Sequence, residues 1–279
     1  HTPILYDSHM HTPLCKHAAG HPEEYAAVAE KRGLKGIIFT CHNPGPNGWS
    51  SKVRMSLDQF DEYVAMVERA RREWHGRVDV RLGLESDYIP GMEPFLTRLH
   101  RRAEFNHILG SIHPQLPYYR QIYDEGDAQT YFQTYYDNLA LAAESGLFDT
   151  IAHPDLVKNV YPRQWQVESL LNVIERALDR IAQTDVALEL NTSGLNKRVK
   201  EMNPGPEILA AMQQRDIPVV LGSDSHEPRR VAADFGEAMM MLQKVGYTAV
   251  HFYLNRQRQS VPIADALASL QVPETAHGD

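Results

Sequence analysis

The amino-acid sequence predicts an α/β protein whose parallel strands close into a (β/α) barrel. Apolar strands and helices alternate in seven units with short connections, and no change in composition marks a second domain. Alternating units of this kind favour a parallel sheet, and this many units favour a barrel. A doubly wound open sheet is the alternative, but the glycine-rich turns lack the dinucleotide-binding fingerprint. We therefore expect one barrel domain over residues 1–270 and a disordered tail over residues 271–279.

The strands are predicted from short apolar runs, several of them apolar at successive positions, as buried parallel strands are. They are expected at residues 4–6, 36–42, 78–84, 107–112, 149–152, 186–191 and 218–223, with a possible short strand at 250–254.

The helices are predicted from apolar periodicity and from their end signals. Pro22 suits a first helical position, and Gly33 ends the same helix. Helices are expected at residues 22–32, 57–74, 93–102, 128–145, 167–182, 206–215 and 228–245, with loops at 43–51 and 114–123.

Composition limits the classes of function. The net charge is -8 with histidine neutral, and no run of Lys or Arg stands out, which argues against a broad nucleic-acid-binding face. No segment approaches the length of a transmembrane helix. The two cysteines, Cys15 and Cys41, do not indicate a disulfide framework, and we interpret them as buried thiols rather than metal ligands. These features predict a soluble cytoplasmic protein without a membrane or nucleic-acid partner.

Three histidines, His9, His11 and His17, fall within nine residues directly after the first predicted strand. Side chains at i and i+2 of an extended segment point to the same side, so His9 and His11 can converge on one ion. Pro13 breaks regular structure, which leaves His17 on a loop that can fold back toward the pair. This stretch predicts a metal site.

Metal-ligand residue types also stand at the ends of most other predicted strands. In a barrel of parallel strands these ends form the active-site face. The nine candidate ligands are His9, His11, His17, His42, Glu85, His113, His153, Asp224 and His226. Nine ligands exceed the need of one ion and suit two or three ions bridged by a carboxylate. Imidazole with carboxylate favours Zn, Fe or Mn. For the other seven histidines, among them His100 and His107, we expect solvated positions.

The nine positions, in order over essentially the whole chain, resemble the ligand set of the polymerase and histidinol phosphatase (PHP) superfamily. Two loop motifs are similar to those of the monofunctional histidinol-phosphate phosphatases of histidine biosynthesis. They run from His11 through His17 to Pro22, and from Asn191 to Leu195.

The resemblance implies a distorted seven-stranded (β/α) barrel with three transition-metal ions, a mixture of Zn, Fe and/or Mn. His9, His11, Glu85 and Asp224 would hold the first ion, and Glu85 would bridge to a second, shared with His113 and His153. His17, His42 and His226 would hold the third.

The implied activity is hydrolysis of a small phosphate monoester, L-histidinol phosphate, to L-histidinol and phosphate. Two metals can clamp an in-line displacement and ionise a water near neutral pH. Our hypothesis is that a hydroxide bridging the pair linked by Glu85 attacks phosphorus, and we assign catalytic roles to Asp224, Glu85 and His226. The sequence leaves the proton donor and the oligomeric state open.

Basic residues on loops at the same end of the barrel are expected to bind the phosphate. We favour Arg54, Lys158 and Arg198, with Arg163 and Lys197 as further candidates. Asp87 and Glu227 are candidates for a wall facing the cationic amino alcohol. Tyr118 and Tyr119 can cover the imidazole, or can lie on the surface.

Three alternatives remain at this point. Another PHP phosphoesterase, such as a nucleotide phosphatase, a phosphodiesterase or an exonuclease, shares the metal ligands and differs in its loops. A metal-storing or regulatory protein predicts a degraded ligand set, whereas all nine positions are intact. A metal-dependent amidohydrolase normally carries a modified lysine as its bridge, and here that position is Glu85.

Overall fold

A computed structural model describes residues 1–271 and shows a sheet of nine strands in chain order, parallel from β1 to β8. The strands are β1 (Tyr6–Asp7), β2 (Gly36–Phe39), β3 (Asp79–Asp87), β4 (His107–Ser111), β5 (Thr150–Ile151), β6 (Ala187–Asn191), β7 (Val219–Gly222), β8 (Ala249–Leu254) and β9 (Gln257–Pro262). Of the predicted tail at 271–279, residues 272–279 lie outside the described residues, and the Gln271 N–H donates to the Arg32 carbonyl at 3.0 Å.

Helices connect the strands and cover the outside of the sheet. They are α1 (Pro22–Lys31), α2 (Phe60–Glu73), α3 (Glu93–His100), α4 (Pro117–Tyr123), α5 (Ala128–Glu144), α6 (Val167–Ala182), α7 (Pro206–Gln214), α8 (Phe235–Val245) and α9 (Ile263–Ser269). None of them, within residues 1–271, combines the length and the apolar character needed to span a bilayer.

The sheet closes between its first and seventh strands, as a seven-stranded barrel requires. The Ser8 N–H donates to the Leu221 carbonyl at 3.2 Å, the His11 N–H to the Ser225 carbonyl at 2.9 Å, and the Ser225 N–H to the His9 carbonyl at 3.2 Å. Met10 and Ser225 form a parallel bridge. The backbone that carries the first two histidines therefore also closes the barrel.

The last two strands form an antiparallel hairpin at the opposite, N-terminal end of the barrel. Tyr253 of β8 lies over His107 at the start of β4, with ring centroids 4.7 Å apart. Beyond β8, the Arg256 N–H donates to the Asn106 carbonyl at 2.9 Å. The sequence analysis predicted β8 but not β9, whose residues are mostly polar and exposed.

One helix and one loop assigned from the sequence were wrong, and α9 was not predicted. The helix predicted from residue 228 begins at Phe235, because Pro228–Arg230 is a separate 3-10 turn and Asp234 adopts a left-handed backbone (φ 63°). The predicted loop 114–123 contains α4, which begins at Pro117, where the missing N–H of proline costs no helical hydrogen bond.

Candidate metal centre

The carboxyl ends of the strands meet above the barrel, and buried polar contacts fix the chain there. Asp7, at the end of β1, is fully buried and accepts from the N–H groups of His9 (3.3 Å), Ser223 (3.0 Å) and Ala232 (2.9 Å). This carboxylate joins the segment carrying the first two histidines to the segment after β7. The candidate ligands of two distant segments are thereby held side by side.

The first cluster contains His9, His11, Glu85 and Asp224, whose ligand atoms lie within 4.8 Å of one another. His9 Nε2 is 3.1 Å from Glu85 Oε1 and 3.3 Å from Asp224 Oδ1. His11 Nε2 is 2.8 Å from the same oxygen of Asp224. Two imidazoles and two carboxylates thus face one point.

Glu85 also faces a second set of imidazoles. His42 Nδ1 lies 3.1 Å from Oε1, and His113 Nε2 and His153 Nε2 lie 3.4 and 3.2 Å from Oε2. His42 approaches without the geometry of a hydrogen bond. The two carboxylate oxygens therefore point toward different groups of histidines, as a bridging ligand requires.

The third cluster contains His17, His42 and His226. His17 Nδ1 donates to the Cys15 carbonyl and His226 Nδ1 to the Asp224 carbonyl, each at 2.9 Å. A carbonyl only accepts, so each Nδ1 carries a proton. Burial lowers the pKa of both imidazoles, and in the neutral rings both Nε2 atoms carry lone pairs. These Nε2 atoms are 3.2 Å apart, and two lone pairs at that distance call for a cation between them.

The electrostatics of the centre favour positive charge. Burial alone would raise the pKa of Glu85, but the imidazoles of His42, His9 and His113 outweigh it and hold that pKa well below its usual range. Burial works against protonation of His11, yet contacts led by the Asp224 hydrogen bond raise its pKa to about 9.

The residues fit bound transition-metal ions. Glu85 is fully buried and Asp224 nearly so, and within residues 1–271 their side-chain ion pairs are all with imidazoles. Buried carboxylates without a permanent cation are costly unless a metal or protons balance them. Donor chemistry and charge therefore agree with divalent cations.

A pocket of about 370 Å³ opens over the three clusters. Among the basic candidates, Arg54 and Lys197 line it. Arg54 is only 2% exposed, and its Nε and Nη2 donate to the two oxygens of Asp87 at 2.6 and 3.1 Å. Arg198 is exposed instead and lies against the Asn159 carbonyl at 3.4 Å, while Arg163 is also exposed.

Lys158 occupies a different place from the one we expected. It is fully buried, and its Nζ donates to Asp155 Oδ2 (2.7 Å), Glu201 Oε1 (2.8 Å) and the Met202 carbonyl (2.9 Å). An ammonium has three donors, so no proton remains for a phosphate. Lys158 is a structural cation that ties two loops together.

Three other expectations need correction. Asp87 pairs with Arg54 and with His113 Nδ1 (2.6 Å) and is therefore no acidic wall. Neither His100 nor His107 is solvated: His100 Nε2 contacts the Ser86 hydroxyl, and His107 is fully buried.

The structure gives other candidates clear positions. Tyr118 packs against Trp49, with centroids 3.5 Å apart, and Tyr119 is buried. Glu227 pairs with Arg229. Both cysteines are buried, and Cys15 lies close enough to His11 and His226 to form a possible ligand group.

The sequence analysis missed Glu189, a fully buried carboxylate in β6. Its Oε2 is 2.5 Å from His9 Nδ1, and its Oε1 accepts from Asn191 Nδ2 at 2.9 Å. Asn191 in turn donates to Asp224 Oδ2 at 3.1 Å. A lone charge within an apolar strand was the signal that could have revealed it.

A barrel whose strand ends carry clustered imidazoles and carboxylates defines a metal-dependent hydrolase as the class of protein. Comparison with known proteins narrows that class. The chain belongs to the PHP domain family, which matches residues 7–193.

Relatives and solved structures agree with this assignment. A Deinococcus radiodurans protein described as a probable histidinol-phosphatase is 39% identical over 92% of this chain and 99% of its own. The Bacillus subtilis histidinol-phosphatase is 27% identical over 83% of this chain and 96% of its own. The Lactococcus lactis histidinol phosphate phosphatase, solved with zinc, L-histidinol and phosphate, shares the fold with a TM-score of 0.75. That likeness covers 91% of this chain and 98% of that one, at 18% identity.

Proposed function

We propose that this protein is a metal-dependent phosphomonoesterase that hydrolyses L-histidinol phosphate to L-histidinol and phosphate. The observation that carries the proposal is that nine candidate imidazole and carboxylate ligands, Glu85 among them, cluster at the strand ends, and that six of them line one pocket. The similarity to histidinol-phosphatases over nearly the whole chain supports the choice of substrate.

Three transition-metal ions are proposed for the three clusters, with Glu85 shared between two of them. When bound, such ions neutralise charge on a phosphate and lower the pKa of water to near neutrality. The matched donor sets support three positions, and imidazole with carboxylate favours Zn, Fe or Mn at each.

The protein's own residues are proposed to position the phosphate and the ligands. Arg54 is held by Asp87 and lines the pocket, so its guanidinium is fixed at the wall before substrate arrives. Lys197 is proposed as the second phosphate-binding cation, in place of Lys158 and the exposed Arg198. A preorganised charge loses less entropy on binding than a mobile one.

Asp224, Glu85 and His226 are the proposed catalytic residues. Asp224 contacts His9 and His11 on one side and is held by Asn191 on the other. Burial lowers the pKa of His226 to about 3, so its imidazole stays neutral and can act as a ligand rather than as an acid. Asp224 and His226 both face the pocket, where the phosphate ester would lie.

The test is phosphate release from L-histidinol phosphate, compared with an aryl phosphate and an aryl phosphodiester. We expect histidinol phosphate to be preferred by about a hundredfold or more in kcat/KM, equivalent to about 2.7 kcal/mol. Asp224→Asn, with its metal content measured in parallel, should lose both the activity and part of the metal.

Two outcomes would contradict the proposal. Preference for the diester would indicate another PHP phosphoesterase, and the absence of turnover at full metal occupancy would remove the catalytic assignment altogether. An Asp224→Asn variant with full activity would show that the first cluster is not the reaction centre.

A further inference from the structure

The side chain of Glu189 contacts candidate ligands from two separate clusters. Its Oε2 faces His9 Nδ1 at 2.5 Å, and its Oε1 accepts from the backbone N–H of His153 at 3.0 Å. The carboxylate is fully buried, and its only ion pair within residues 1–271 is with His9. A buried charge in this position needs a reason beyond packing.

Its hydrogen bonds fix which nitrogen of His9 carries the proton. A carboxylate only accepts, so the proton of His9 facing Glu189 is on Nδ1. In the neutral ring, the form that binds a metal, the lone pair of Nε2 is then on the side of Glu85 and Asp224, 3.1 and 3.3 Å away. A second carboxyl group behind a histidine ligand orients the ring and raises its basicity.

The same carboxylate also contacts, directly or through Asn191, two residues near strand ends whose backbone is left-handed. His153 and Asp224 both have positive φ, 30° and 54°, which is unfavourable for residues other than glycine. Oε1 of Glu189 holds the N–H of His153, and Asn191 links Glu189 to the side chain of Asp224.

Gly222 supplies the room for this arrangement. A Cβ at that position would overlap Oε2 of Glu189 and would lie 2.7 Å from Cβ of His9. The strand next to β6 therefore leaves space for the Glu189–His9 contact.

We infer that Glu189 is a positioning residue that sets the tautomer of His9, and thereby its ability to bind metal. The inference rests on the proposed metal centre and adds a residue that controls it. Glu189 touches no reacting atom in this arrangement and acts through His9.

The variant Glu189→Gln tests this inference because its side-chain amide can form hydrogen bonds with the surrounding groups in only one favourable orientation. Two donors, the His153 N–H and the Asn191 amide, point at Oε1, so the amide oxygen takes that place. The NH2 group then faces His9 and donates to Nδ1. The proton of His9 moves to Nε2, which now donates to Glu85 or Asp224 instead of binding metal.

The opposite orientation of the glutamine is unfavourable. It would place NH2 against both donors, and Asn191 cannot rotate to accept, because its Oδ1 already accepts from the N–H and hydroxyl of Ser193 at 3.0 and 2.6 Å. The variant therefore keeps its internal hydrogen bonds and loses the ligand.

The experiment measures zinc binding and histidine tautomers in the full-length protein. We expect Glu189→Gln to fold with a melting temperature close to that of the metal-free wild type, and to bind one ion per chain about 10–100-fold more weakly. With ring-15N histidine and zinc as the probe, the wild type should show a strongly deshielded Nδ1 proton on His9 that the variant lacks.

Asp149→Asn is the matched control, a largely buried carboxylate (10% exposed) changed to an amide at the N-terminal end of the barrel. Asp149 contacts Arg256 and the Ile108 N–H and, within residues 1–271, no histidine side chain. This change should lower the melting temperature while zinc affinity and the His9 signal stay as in the wild type. A merely structural role for Glu189 would produce that same pattern in Glu189→Gln.

Wild-type zinc affinity in Glu189→Gln would overturn the inference. So would a zinc-loaded wild type whose His9 proton is on Nε2, a measurement that stands even if the variant does not fold. Neither readout uses histidinol phosphate, so the proposed substrate can fail while the role of Glu189 holds, and the reverse.

Discussion

Histidines are buried at both ends of the barrel, but their neighbours differ: carboxylates at the C-terminal end, and a hydroxyl and an aromatic ring at the N-terminal end. At the C-terminal end, His11 lies 2.8 Å from Asp224, and contacts of this kind raise its pKa to about 9 against the effect of burial. At the N-terminal end, His107 lies against the Thr150 hydroxyl and Tyr253, and burial lowers its pKa to about 3.

The difference shows what makes a buried histidine a candidate ligand. Burial is equal at the two ends, whereas carboxylates face the imidazoles only at the end where the parallel strands finish, as far as residues 1–271 show. His107 is a neutral packing residue. The histidines at the C-terminal end instead face the negative charges of Glu85 and Asp224, which a cation can balance.

The strongest test of this contrast is Glu85→Gln. It removes the charge that faces His9, His42 and His153, so we expect metal content to fall and kcat/KM for histidinol phosphate to drop at least about a thousandfold. Metal analysis and steady-state kinetics measure both effects.

His107→Gln is the control at the other end. The amide can still reach the Thr150 hydroxyl, so activity should stay within about twofold of the wild type, with a stability change of about 1 kcal/mol. If both variants lose activity equally, the two ends are coupled and the contrast is wrong.

The residues at the C-terminal end of the barrel could be predicted from the sequence because the signals for them are local. Each strand and the residue that follows it are neighbours in the chain, and the fold rule that gathers strand ends is general. The α/β barrel expected from that pattern and the PHP family membership implied by the resemblance are confirmed, whereas the metal ligands remain predictions.

The partners of charged residues were not predictable in the same way. Glu189 meets His9 across 180 positions, and Lys158 meets Glu201 across 43. Nothing in the local sequence separates a lysine whose ammonium is fully paired with carboxylates from one that faces a pocket. The hairpin strand β9 was missed for a related reason, since its mostly exposed polar residues give no apolar run.

A smaller effect is expected from Arg54→Lys at the pocket wall. Lysine cannot reproduce the two-pronged contact with Asp87. KM for histidinol phosphate should rise about tenfold, or about 1.4 kcal/mol, with a lesser change in kcat.

Arg229→Lys serves as the comparison for that variant, because Arg229 is exposed and pairs with Glu227. Its kinetics should match those of the wild type. Equal KM values for both variants would show that Arg54 holds the pocket together without binding phosphate.

The smallest effect on stability is expected from Arg256→Ala, at the N-terminal end of the barrel. Its ion pair with Asp149 (2.5 Å) is partly exposed, so its loss should cost about 1 kcal/mol of unfolding free energy. Thermal denaturation measures this change, and kcat/KM should not move. Lost activity at unchanged stability would mean that the hairpin influences the metal centre.

The closure of β1 on β7 has a consequence for how the chain is held together. His11 and Asp224 lie on opposite sides of that seam and are 213 positions apart, so an ion bound by both would cross-link the segment after β1 to the segment after β7. Closing so long a loop carries a large entropic cost, which the ligands of one cation help to offset. A bound ion would then stabilise the closed barrel as well as serve its chemistry, and the seam is where the metal-free barrel should open first.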